Sequence, residues 1–131
     1  MAECARFQRP YDLRVLAQAA AASFNVMHVC RQDALFDAFA DYPVAAFSWA
    51  LGPGNPSLAE AHRRTGRAVM GGIPAALGTH TATDVAERVR AAMDIMARRW
   101  LLLAPDCSID IATLDELLLA ARDAARGTRS D

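Results

Sequence analysis

"AVMGGI", residues 68–73, reads as one short strand. It is apolar throughout, carries Gly71 and Gly72 at its carboxyl end, and is closed by Pro74, which has no N–H for a ladder. A strand apolar on both faces belongs to a parallel sheet, where helical crossovers cover what an antiparallel sheet leaves to water. Small residues recur one strand earlier, at Ala46 and Ser48 of "VAAFSWA" (44–50). Small side chains on neighbouring strands suit the crowded interior of a barrel or the close approach of a ligand.

Working outward, "NVMHVC" (25–30) is a strand upstream and "WLLLAP" (100–105) a strand downstream, which makes four. Helical patterns alternate with them. Pro10 sits in the first turn of a helix that continues through "YDLRVLAQAAAA" (11–22), with Leu13, Leu16 and Ala20 on one face. "DALFDAFAD" (33–41) spaces Leu35, Phe36 and Phe39 helically and is ended by Pro43. Ser57 caps a helix reaching Thr65, and residues 83–99 bury Val85, Val89, Met93 and Met96. Thr113 and Glu116 form a capping box for a last helix to about residue 126.

Helix and strand in strict alternation predict an α/β fold with a parallel sheet. A doubly wound sheet would carry helices on both sides, and a barrel segment would keep strand order 1-2-3-4 with every helix on the outer face. The small residues at the strand ends favour the barrel. No Gly-x-Gly-x-x-Gly turn follows the first strand, and "MGGIPAALGT" (70–79) lacks phosphate-loop spacing. One domain is expected over 1–131, with 1–9 and 127–131 frayed.

The bulk numbers exclude several function classes. The 131 residues suffice for one core, and the net charge of −1 gives no electrostatic pull toward nucleic acid or an anionic membrane. All 14 basic residues are arginine, scattered rather than clustered. Three widely spaced cysteines, Cys4, Cys30 and Cys107, do not make a disulfide framework, and with no signal peptide in view they predict a cytoplasmic protein. No apolar run is long enough to span a bilayer.

His28 and Cys30 end the first strand one residue apart, so both side chains project from the same face. Such a pair can be half of a metal site, but by spacing alone it reads first as a core histidine beside an inert thiol. Cys107 follows the fourth strand. Asp33 and Asp106 neighbour these residues and suit orienting them or filling a further ligand position, although an N-cap role explains Asp33 as well. Trp49 and Gly72 stand at the ends of the second and third strands, where they would line a pocket; a strand tryptophan equally serves packing. His62, beside Arg63 and Arg64, is expected on a solvated helix face, His80 in an exposed loop, and Cys4 as a free surface thiol.

Taken in order, "FQRPYDLRVL", "NVMHVC", "YPVAAFSW", "SLAEAHRRTGRAVMGGI" and "LLLAPDCSI" resemble the C-terminal half of the uroporphyrinogen decarboxylase superfamily, across nearly the whole chain. The superfamily also holds the zinc-dependent methylcobalamin:coenzyme M methyltransferases. The resemblance implies the last four strand–helix units of a (βα)8 TIM barrel, with its chemistry at the carboxyl ends of the strands. It implies a zinc ion held by His28, Cys30 and Cys107, as the methyltransferases hold theirs through His-x-Cys and a distant cysteine. The methyl donor would be a corrinoid and the acceptor a small-molecule thiol. The methyltransferase pattern places Gly where Arg31 and Asp106 stand here, and the decarboxylases place Gly-His where Asp106-Cys107 stands.

Porphyrinogen decarboxylation is the alternative activity, and a non-catalytic half-barrel that needs a partner the alternative role. In the family, the decarboxylase carboxylate and arginines come from the first half of the barrel. A half-barrel leaves two open edges and a bare inner face, so a homodimer or a complementary half-barrel subunit is expected. The zinc reading also makes a geometric demand. In a flat sheet the first and fourth strands lie about 14 Å apart, too far for one ion. The three ligand atoms must instead converge on the concave side, to within about 4 Å of one another.

Overall fold

A computed structural model of the chain describes residues 2–127. The strands are β1 (Val26–Val29), β2 (Ala46–Trp49), β3 (Ala68–Ile73) and β4 (Leu101–Pro105). The helices are α1 (Arg9–Gln18), α2 (Leu58–Thr65), α3 (Ala82–Ile95) and α4 (Asp115–Arg126). All neighbouring strands pair in parallel, in the order β1-β2-β3-β4. This is an α/β fold consistent with a half-barrel.

The register sorts the side chains onto two faces. Met27, Phe47, Val69 and Leu101 are aligned across the four strands, with Val29 and Trp49 two residues on. These residues form one core with Phe36, Phe39, Leu58, Ala61, Ala92 and Met96, and with Leu13 and Leu16 of α1. Leu103 and Ile73 join a second core in which Val85 and Val89 of α3 meet Leu117 and Ala121 of α4. The helices thus cover one face of the sheet. The other face carries Val26 and His28 of β1, Ser48 of β2, Met70 of β3 and Leu102 of β4. Val26 and Leu102 remain 40% and 36% exposed.

Local chemistry explains most boundaries. Ser57 accepts the N–H of Glu60 to open α2, and Gly66, with φ +66°, closes it in the left-handed conformation. Thr81 and Asp84 form a reciprocal capping box at α3. Asn25 accepts the N–H of Ala45 on its side chain and that of Ala46 on its carbonyl, which pins β1 to β2. Asn55 accepts the N–H of Ala34 and donates to the carbonyls of Arg31 and Ala50, tying the loops after β1 and β2 together. No helix among the described residues is long and apolar enough to cross a membrane.

Several expectations are corrected. Residues 33–41 do not form an α-helix; a single 3-10 turn spans Phe36–Ala38. Asp33 and Leu35 take φ of +52° and +49°, which a right-handed helix excludes. The turn still buries the two phenylalanines: Phe36 packs on Phe47 and Trp49, and Phe39 on Tyr42.

Near the N-terminus a π-helical turn over Cys4–Gln8 leads into α1. Arg9 is the tie there, with two hydrogen bonds of 2.7 Å to Asp41 and its guanidinium over the Tyr42 ring. α1 nevertheless ends at Gln18, short of 22, and α3 ends at Ile95, short of 99. Beyond α3, Ala97, Arg98 and Trp100 adopt positive φ and turn the chain into β4.

Thr113 does not cap α4. Asp110 accepts the N–H of Ala112 on its side chain and that of Thr113 on its carbonyl. The resulting turn makes Leu114 the N-cap residue, without a side-chain cap, and leaves Thr113 Oγ1 buried without a partner. At the other end Gly127 is a turn residue; the expectation of fraying over 128–131 lies outside the described residues.

Candidate metal centre

β1 delivers His28 and Cys30 to the concave side, and the turn after β4 returns Cys107 to the same place. Cys30 Sγ lies 3.5 Å from Cys107 Sγ, and Cys107 Sγ lies 3.6 Å from His28 Nε2. The ligand atoms of all three residues fall within 4.8 Å of one another. The two contacts of Cys107 meet the expected spacing of about 4 Å, and the His28–Cys30 edge lies within the wider limit. These three residues can hold a metal ion.

The imidazole is aimed by a residue that sequence reasoning missed. His28 Nδ1 sits 3.1 Å from Ser48 Oγ, on the strand paired with β1 at that register position. Ser48 is buried at 3% exposure. Its signal in the sequence is a lone hydroxyl in the otherwise apolar run "VAAFSWA". A hydroxyl fixed on Nδ1 leaves Nε2 facing the sulfurs.

The two thiols share one hydrogen bond, and it divides them. Cys107 is lowered from the ordinary thiol range, first by that bond and then by the backbone N–H of Ser108. Cys30 is raised, first by the same bond and then by burial. The first proton lost belongs to the pair rather than to either sulfur.

Of the other sequence candidates, Asp106 alone acts on a ligand, its charge opposing ionisation of the neighbouring Cys107. Trp49 is 1% exposed on the helix side, donating to the carbonyl of Pro56 at 2.9 Å with its ring edge-on to Phe36. It packs the core rather than facing the three ligands. Asp33 lies over Gly54, in a hollow lined by Phe36 and Arg64. Asp106 is 8% exposed and accepts the N–H of Gly72 at 2.8 Å. Burial pushes its carboxyl up to about 6, against the opposing pull of the Gly72 N–H and of Arg88. Asp106, Gly72, Arg88 and His80 line a cleft of about 740 Å³ between α2 and α3, on the side of the sheet away from His28.

Gly72 has φ +95°, and a Cβ there would stand 2.8 Å from the Cβ of Ala92. Its role is to let α3 approach β3. His62 is half-buried rather than solvated: Nδ1 donates to the carbonyl of Arg67, and the ring stacks on Trp100. Cys4 stands apart from the other thiols, beside Arg9, Asp41 and Tyr42.

Compared with known proteins, the chain matches no family model, no curated protein and no solved structure.

Proposed function

We propose that this chain is the C-terminal half-barrel of a uroporphyrinogen decarboxylase-type protein whose His28, Cys30 and Cys107 hold a catalytic zinc. One observation carries the reading. Tetrahedral zinc, with bonds of about 2.3 Å to sulfur and about 2.05 Å to nitrogen, separates two sulfurs by about 3.8 Å and a sulfur from a nitrogen by about 3.6 Å. The corresponding separations here are 3.5 and 3.6 Å.

Three protein ligands with an open fourth position suit a catalytic rather than a structural zinc. Bound there, zinc would hold a small-molecule thiol as its thiolate, the nucleophile for methyl transfer from a methyl-corrinoid. The protein's own part is positioning. Ligation through Nε2 would leave the His28 proton on Nδ1, where Ser48 Oγ would accept it and fix the orientation of the ring. Cys30 and Cys107 supply the soft donors that select zinc over hard cations.

The bare concave face and the free edges of β1 and β4 would be covered by a second copy or by a complementary half-barrel. Asp106 does not supply an acid for porphyrinogen decarboxylation on the concave side, because its carboxyl is held by Gly72 on the helix side.

The test is elemental analysis of the purified protein. Zinc near one equivalent in the wild type, lost in Cys30→Ser and in Cys107→Ser, is the expected result. Wild-type protein that takes up no zinc after reduction would overturn the reading.

A further inference from the structure

The two sulfurs that face each other across the sheet can do something other than bind metal. Cys30 Sγ and Cys107 Sγ are 3.5 Å apart with no atom required between them. A disulfide needs about 2.05 Å, so side-chain rotations that close about 1.5 Å would join them. Both residues lie at ends of elements, Cys30 just beyond β1 and Cys107 in the turn after β4, where such rotation meets least resistance. Cys30 is exposed and Cys107 partly so, which leaves the pair open to a small oxidant. The remaining cysteine, Cys4, sits in a separate hollow.

We propose that Cys30 and Cys107 are a reversible redox pair, converted by a peroxide into an intramolecular disulfide that ties β1 to the end of β4. One sulfur of the pair attacks one peroxide oxygen. The O–O bond breaks, the departing hydroxide leaves as water with the thiol proton, and that cysteine becomes a sulfenic acid. The other sulfur attacks the oxidised one, the S–O bond breaks, and the hydroxyl leaves with the second thiol's proton as a second water. Two thiols lose two electrons in total, and one hydrogen peroxide is reduced to two waters. The pairing stands on the sulfur geometry alone. Its consequence, that oxidation removes two of three ligands at once and so opposes zinc uptake, rests on the reading of the preceding section.

The experiment treats metal-free, reduced protein with one equivalent of hydrogen peroxide and follows intact mass, free thiols and linked peptides. The expected result is a monomer lighter by about two hydrogens, one remaining thiol, and a tryptic cross-link between the peptides holding Cys30 and Cys107. Dithiothreitol should reverse all three. Cys4→Ser should leave the cross-link intact, whereas Cys30→Ser and Cys107→Ser should abolish it.

Oxygen adducts on Cys30 without a cross-link, or a disulfide that uses Cys4, would overturn the proposal. Zinc uptake is then compared between reduced and oxidised samples. Uptake by the reduced form alone supports the switch, and equal uptake by both forms overturns it. If neither form binds zinc while the cross-link forms, the zinc reading fails and the redox pair stands.

Discussion

Cys30 and Cys107 are 77 residues apart in the chain and on opposite edges of the sheet, yet their sulfurs are 3.5 Å apart. Three flat inter-strand spacings would hold them about 14 Å apart. The contact therefore measures curvature. The sheet and the segments that follow its edge strands bring side chains from the carboxyl ends of β1 and β4 together, and the side chains that meet there are two thiols and an imidazole.

Ser48 should matter to metal affinity more than its size suggests. Ser48→Ala removes the oxygen beside His28 Nδ1 and leaves all three ligands in place. Losing such an outer partner costs roughly 10- to 100-fold in affinity. Competition against a chromophoric chelator should show zinc bound that much more weakly, with an unchanged circular dichroism spectrum. Affinity equal to wild type would remove Ser48 from the site.

Gly72→Ala tests how closely α3 rides on β3. The new Cβ would meet Ala92 at 2.8 Å, at a φ of +95° that L residues avoid. Backbone strain and overpacking each cost about 1–3 kcal/mol. Urea denaturation should show a loss of about 2–6 kcal/mol in all. Gly66→Ala is the control: its φ is +66° with open space around it, so about 1 kcal/mol is expected there.

Alkaline stability should fall through Tyr42. Burial first, then the hydrogen bond to Asp12, pushes its phenol from 10.0 up to about 12. Between those values the folded state retains a proton that the unfolded state has released. By linkage its contribution, complete below pH 10, is lost as the pH rises toward 12. Tyr42→Phe should flatten this part of the stability–pH curve. An identical slope in the variant would refute the assignment.

Association should follow from the bare concave face. Light scattering is expected to give a mass above the 14.1 kDa of one chain, rising with concentration. Leu102→Glu places a charge on an exposed residue of that face and should shift the distribution toward monomer. A wild-type monomer at millimolar concentration would rule out self-association.

Much of this was legible in the letters. β3 has the bounds read from "AVMGGI", and α2 runs from the Ser57 cap to Thr65 as read. The sequential strand order was read from helix–strand alternation together with the small residues at the strand ends, and the sheet has that order. Convergence of the three ligand atoms to within about 4 Å was read as a demand of the metal; the two contacts of Cys107 meet it, and all three atoms lie within 4.8 Å of one another. What escaped was decided by dihedral angles and neighbours. Phe36 and Phe39 satisfy a helix and a 3-10 turn equally, and only the positive φ of Asp33 and Leu35 separates the two. Thr113 carried a capping pattern, but Asp110 took the turn first. Trp49 and Ser48 are adjacent letters that point to opposite faces, one into the core and one toward His28. Small size was the wrong reason to notice Ser48.

The curvature also gives the chain a clock. Each strand pair in this sheet closes over a modest stretch of sequence, so β1-β2, β2-β3 and β3-β4 can assemble stepwise at moderate entropic cost. His28 and Cys107, 79 residues apart, come together only after all three crossovers are in place and bent the same way. No subset of the strands can form that contact. A thiol-reactive probe or a spectroscopically visible metal ion at this cluster would therefore report the final event of folding, and during refolding its signal should lag behind the appearance of helix.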